Sequence, residues 1–197
     1  MKEASCGKLG PKRDALLAQM AVAVEILLMA PIRLRNLLAL EFGRNLIEAG
    51  ATLHVVFEEH ETKNRGVIDI PLPPESAALI KEYRDRHLVH LAGAGQHQLF
   101  PGRAGGEKSR STFRMQLSRT IRRYIGLEMH PHLFRHARAK IHLDRHPGEY
   151  ATVSTALGHA SIETTRTFYT GLENAAAMRH FDEVILKLRR KKKLVPA

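Results

Sequence analysis

Two β-branched runs, TLHVVF at 52–57 and VIDIPL at 67–72, stand in a chain whose other apolar positions recur at helical spacing. Such runs predict two strands, and the polar stretch EEHETKNRG between them predicts an antiparallel hairpin with a long charged loop. This confines β-structure to one small insertion near the start, so the rest must pack as helices. Helical spacing predicts segments at 14–28 and 33–40, separated by Pro31, and another at 75–91 after Pro73 and Pro74. Breaker-rich loops at 93–98 and 101–111 precede helices near 112–125, 132–145, 148–157, 161–169 and 174–190. The expected fold is mainly α with a small antiparallel β-sheet (α+β), in one continuous unit behind a flexible leader at 1–13.

Charge narrows the partners. Thirty-one Lys and Arg against twenty Asp and Glu leave a net charge of +11. That excess repels itself in the folded state, and a polyanion relieves it. Nucleic acid is favoured over an anionic membrane surface. The one strongly basic run, LKLRRKKK at 186–193, is a terminal tail without the aromatics of an interfacial helix. The longest apolar run, AVAVEILLMAPI, is interrupted by Glu25 and Pro31 and is too short to span a bilayer. No signal peptide is visible behind Lys2 and Glu3. The lone Cys6 has no partner for an internal disulfide, which suits a reducing cytoplasm.

The segment MHPHLFRHARAKIHLDRH, Met129 to His146, concentrates histidine and arginine at a helix start. His132 and Arg135 stand at i and i+3, on one face, and can converge on an anion near free N–H groups. On its own such a pair is more often a solvated basic face. His132/His136 and His142/His146 have metal-ligand spacing, but no Glu lies inside either pair, and Arg135 and Arg145 do. No metal or other cofactor is therefore expected. A G-x-S-x-G elbow, a P-loop and a G-x-G-x-x-G loop are all absent, which removes serine hydrolases and nucleotide hydrolysis from consideration.

Four boxes in order, APIRLRNLLAL (30–40), TKNRGVIDIPLP (62–73), HLFRH (132–136) and LGHASIETTRTFY (157–169), resemble the catalytic domain of the tyrosine recombinases, the phage-integrase family. The resemblance runs from about Asp14 to the C-terminus, with an integrase-like domain at 14–173. It implies a site-specific recombinase that cuts and rejoins DNA through a 3′-phosphotyrosyl intermediate, without metal or ATP. By position, Arg33 and Arg135 are the catalytic arginines, Lys63 is the hairpin lysine, His132 opens the H-x-x-R box, His159 precedes the nucleophile, and Tyr169 is the nucleophile. Two guanidiniums neutralise the non-bridging oxygens as charge builds on phosphorus. His132 is the candidate base, His159 a donor to the phosphate, and Lys63 the candidate acid for the leaving 5′-hydroxyl. The reading requires a Tyr169 hydroxyl that is not buried and that reaches both arginines, directly or through a movable segment; otherwise only the affinity for polyanions survives.

Several positions depart from the family pattern. Pro31 and Asn36 replace the expected glycine and acidic residue of the first box, and Leu133 stands where the second box carries a carboxylate. The step from His159 to Tyr169 is ten residues, one longer than usual, with Phe168 in the usual slot. One residue turns a helical side chain by about 100°. The family also has a separate N-terminal helical domain, for which there is no room before Asp14, implying a fragment or a shortened relative. The resemblance implies that a C-terminal helix and basic tail at 174–197 docks on a neighbouring protomer in a DNA-bound tetramer; packing of its apolar stripe on its own domain is the alternative. The second reading is a non-catalytic DNA-binding protein of the same fold, acting as an accessory or regulatory factor.

Overall fold

The computed structural model describes residues 10–50, 52–63, 65–92, 95–102, 106–158, 161–169 and 186. The sheet expected from the β-branched runs is present and has one more strand. β1 (Leu46–Ala49), β2 (Thr52–Phe57) and β3 (Ile68–Leu72) form an antiparallel meander in the order β1-β2-β3. Leu46 pairs with Val55, and Val55 with Ile70. Along β2, Leu53, Val55 and Phe57 are buried while Thr52, His54 and Val56 are half-buried, as in a sheet with one face on a core. β1 was not anticipated because its sequence, LIEA, has a single β-branched side chain and a single buried position.

The chain divides between Arg135 and His136 into two compact units. Each has its own apolar cluster. The first includes Ile26, Leu37, Phe57, Ile80, Tyr83, Phe113 and Phe134; the second is built on Ala139, Leu143, Val153, Leu157 and Tyr169. Apolar periodicity along a helix reports that each turn is buried, not what buries it.

In the first unit, α1 (Pro11–Met29) begins with proline in its first turn, where the missing N–H costs nothing, so helix replaces the end of the expected leader. Ala15, Ala18, Gln19, Val22, Ala23, Ile26 and Leu27 form its buried stripe. The short α2 (Leu34–Leu38) follows. α3 (Pro74–Arg86) stops short of residue 91, because the chain tightens into a 3₁₀ turn, Leu88–His90, that carries Leu88 into the core. Ser109 caps α4 (Arg110–Ile125) by accepting the Thr112 N–H at 3.3 Å, and Gly126 ends it with φ at 78°. A buried polar chain ties these helices together. Lys108 donates to the side-chain carbonyl of Gln19, the Gln19 amide donates to Tyr83 Oη, and that hydroxyl donates to the Leu99 carbonyl.

α5 (Pro131–Arg145) crosses the division, and its later turns join α6 (Tyr150–Leu157) and α7 (Ile162–Tyr169) in the second unit. Gly158, with φ at 58°, terminates α6. The helix expected at 174–190 lies outside the described residues, apart from Leu186, which is helical. Among the described residues no helix is long and apolar enough to cross a membrane.

Candidate active site

Pro31 cannot continue α1, and the buried Ile32 anchors the chain as it leaves that helix. Arg33 follows in extended backbone, φ −73° and ψ 152°, as the residue that opens α2, and its carbonyl accepts the Leu37 N–H at 2.9 Å. Arg33 is half-buried, whereas its neighbour Arg35 is exposed. Glu41, an alternative partner for Arg33, instead engages Arg44 at 3.6 Å and the Gln98 amide. Arg135, 7% exposed, donates from Nη1 to the Pro31 carbonyl. A guanidinium from α5 is thereby joined to the backbone two residues before Arg33.

Lys63 stands exposed in the β2–β3 connection, and that connection is tightly built. Glu58 and Glu61 form a reciprocal capping box around the short 3₁₀ turn Glu59–Glu61. The Thr62 hydroxyl donates to the Gly66 carbonyl at 2.8 Å and accepts the Gly66 N–H at 3.0 Å, closing the turn that presents Lys63. Burial pushes the Glu61 carboxyl up. Hydrogen bonds from the Glu58 backbone and Asn45, with Arg44 alongside, outweigh it and hold Glu61 below the usual carboxylate range. The buried Asn36 amide donates to the Glu61 carbonyl at 3.4 Å. Asn36, which stands where the family pattern has an acidic residue, thus couples α2 to the Lys63 loop.

His132 is exposed on the first turn of α5, three residues before Arg135, and its ring stacks on His130 with centroids 6.5 Å apart. In the second unit, Tyr169 is 2% exposed and its ring lies in the apolar cluster. Its hydroxyl is 2.7 Å from His136 Nδ1, and the two rings are 5.7 Å apart. The sequence presents His136 as half of a metal-spaced pair and as the last residue of the HLFRH box, and its position directly after Arg135 is the available sign of a larger role. The second pair, His142 and His146, converges on Glu149, with His142 at 2.9 Å. Among the described residues no group of three or more ligating side chains is arranged to hold a metal. His159 lies outside the described residues.

In the first unit Arg135 bonds the loop that leads to Arg33, His132 lies three residues before Arg135 on α5, and Asn36 ties α2 to the loop of Lys63; the second unit holds Tyr169 against His136. The model of the Phage integrase family matches residues 7–175, and the chain belongs to that family. Among its relatives, the tyrosine recombinase XerC of Xylella fastidiosa (strain 9a5c) is 28% identical over 171 residues, 85% of this chain and 53% of that protein. XerC of Xanthomonas campestris pv. campestris (strain B100) is 33% identical over 101 residues, 51% of this chain and 31% of the relative. The chain thus spans about half, or less, of the length of the curated relatives it matches. Among solved structures, XerH recombinase bound to its palindromic difH substrate matches with a TM-score of 0.66 at 20% identity, over 91% of this chain and 50% of that one. XerA recombinase matches with a TM-score of 0.63 at 20% identity, over 87% and 62%. These likenesses confirm the fold, mainly helical with one small antiparallel sheet.

Proposed function

We propose that this protein is a site-specific DNA recombinase that breaks and reseals strands through a 3′-phosphotyrosyl link. The observation that carries the reading is the Arg135–Pro31 bond, which joins the second arginine to the loop bearing the first. Two forked cations around one phosphodiester supply charge neutralisation that other phosphoryl-transfer sites take from a divalent ion. Tyr169 is the nucleophile, Lys63 the acid for the departing 5′-oxygen, and His132 and His159 face the phosphate. The link conserves the energy of the broken bond, so resealing needs no ATP. The XerH and Tn1549 integrase structures hold DNA, and by likeness double-stranded DNA is the partner here. Assembly as a tetramer on that DNA, in the cytoplasm beside the nucleoid, belongs to the same reading.

A second reading is supported by the burial of Tyr169: a DNA-binding protein of this fold that does not cut. Nicked suicide duplexes separate the two. Duplexes are drawn from a randomised pool by binding to the wild-type chain and incubated with it. A covalent protein–DNA adduct, absent with Tyr169→Phe, is the expected result. Failure of every selected duplex to give an adduct leaves the accessory reading.

A further inference from the structure

We propose that His136 is a catalytic residue, the group that accepts the Tyr169 proton as the phenol attacks; this rests on Tyr169 being the nucleophile. A phenol loses its proton near pH 10 when unperturbed, so attack at neutral pH needs an acceptor in contact with it. The Nδ1 to Oη distance of 2.7 Å is contact of that kind, made within one unit and fixed by a rigid helix. His132, the base expected from sequence, is exposed on the first turn of α5, one turn before His136. In the sequence His136 directly follows Arg135 and closes the HLFRH box. Ala139 and Leu143 continue from His136 into the cluster that seats the Tyr169 ring, so packing aims the phenol at the imidazole.

The step balances. The Oη–H bond breaks and the proton passes to Nδ1, while the Oη electron pair forms the bond to phosphorus. The P–O5′ bond breaks, and the departing oxygen takes a proton from Lys63. For this, the ring must begin neutral with its proton on Nε2 and Nδ1 accepting. His132 then serves as a donor to the phosphate.

Two measurements test it. Long-range ¹H–¹⁵N spectra of the full chain report which nitrogen of His136 carries the proton, with His136→Gln identifying the resonance. Protonation at Nε2 is expected. A proton on Nδ1 makes the ring the donor and overturns the proposal. The second measurement is the single-turnover rate of adduct formation on the selected suicide duplexes. His136→Gln is expected to lower that rate by about 10²-fold or more, with DNA affinity unchanged. On a substrate whose 5′-bridging oxygen is replaced by sulfur, the leaving group needs no acid. Lys63→Ala recovers there, and His136→Gln does not. A His136→Gln rate equal to wild type, above it, or restored by the sulfur substrate overturns the assignment. Gln keeps the size and an acceptor oxygen, and His136→Phe, compared by thermal melting, controls for misfolding. Absence of an adduct from the wild-type chain is a distinct failure, that of the recombinase reading itself, and the spectra still decide the direction of the hydrogen bond.

Discussion

At the scale of single residues, Arg33 and Arg135, the two arginines proposed to hold the phosphate, do different structural work. Arg33 projects from a loop and is half-buried, so Arg33→Ala removes a cation and little else. Arg135 is buried and satisfies the Pro31 carbonyl, so Arg135→Ala also strands a backbone acceptor. Each substitution is expected to slow adduct formation by about 10²-fold or more. Only Arg135→Ala should also lower unfolding free energy, by about 1–3 kcal/mol in urea melts. Equal stability of the two variants would show that the Arg135–Pro31 bond contributes nothing to the fold. Both arginines could be proposed from sequence because a dedicated residue type in a known box carries chemistry. The partners of Asn36 and His136 were not. A hydrogen bond across 25 residues, from Asn36 to Glu61, or 33 residues, from His136 to Tyr169, depends on packing that no local pattern encodes.

Elements show the same division between local and long-range information. The β2–β3 hairpin and the four long helices could be read because their periodicity is internal to each segment. β1 has no such pattern and exists because β2 offers it an edge. The end of α3 follows from the core's demand for Leu88. The α1–α4 packing contains a further feature invisible to periodicity, a buried lysine. Burial pushes the Lys108 ammonium down to about 8, and its hydrogen-bond partners, Gln19 and Gln116, are neutral amides. Below pH 8 the ammonium is charged whether the chain is folded or not, and the full cost of burying it is present. Between about 8 and the ordinary lysine value of 10.5, the unfolded chain binds the proton more than the folded one does, so stability rises with pH. Lys108→Met should therefore be more stable than the wild type at pH 7, and the gap should narrow as pH climbs through that window. Urea unfolding of both chains from pH 7 to 10.5 measures it; a gap independent of pH contradicts the burial argument. His87, with burial the leading cause of its lowered value, works at the other end, making the fold less stable as pH falls below the ordinary histidine range.

Over the whole molecule, two properties bear on the proposed strand cutting: where the positive charge lies and where Tyr169, the proposed nucleophile, rests. A net charge of +11 was legible from composition, but its placement was not. The structure puts Arg110, Arg114, Arg119, Arg122 and Arg123 exposed along α4, a helix whose buried side is apolar. The division into two units was also hidden, because α5 reads as one uninterrupted helix across it. Tyr169 rests withdrawn, 2% exposed, whereas Tyr124 is 43% exposed. Nitration of the free chain should accordingly modify Tyr124 and spare Tyr169, and addition of a selected duplex should make Tyr169 reactive or trap it as the adduct. Duplex affinity is a separate matter. If the α4 arginines neutralise phosphates, log K falls linearly with log salt, and Arg114→Ala reduces the slope by about 1. Tyr169→Phe touches no phosphate on binding and should leave the slope unaltered while abolishing the adduct. Fluorescence anisotropy with one fixed duplex, across a salt series, reads both variants in the same assay. An unchanged slope for Arg114→Ala would move the phosphate contacts off that part of α4. An altered slope for Tyr169→Phe would mean that the phenol helps to hold DNA before it attacks, and that the withdrawn position is already abandoned on binding.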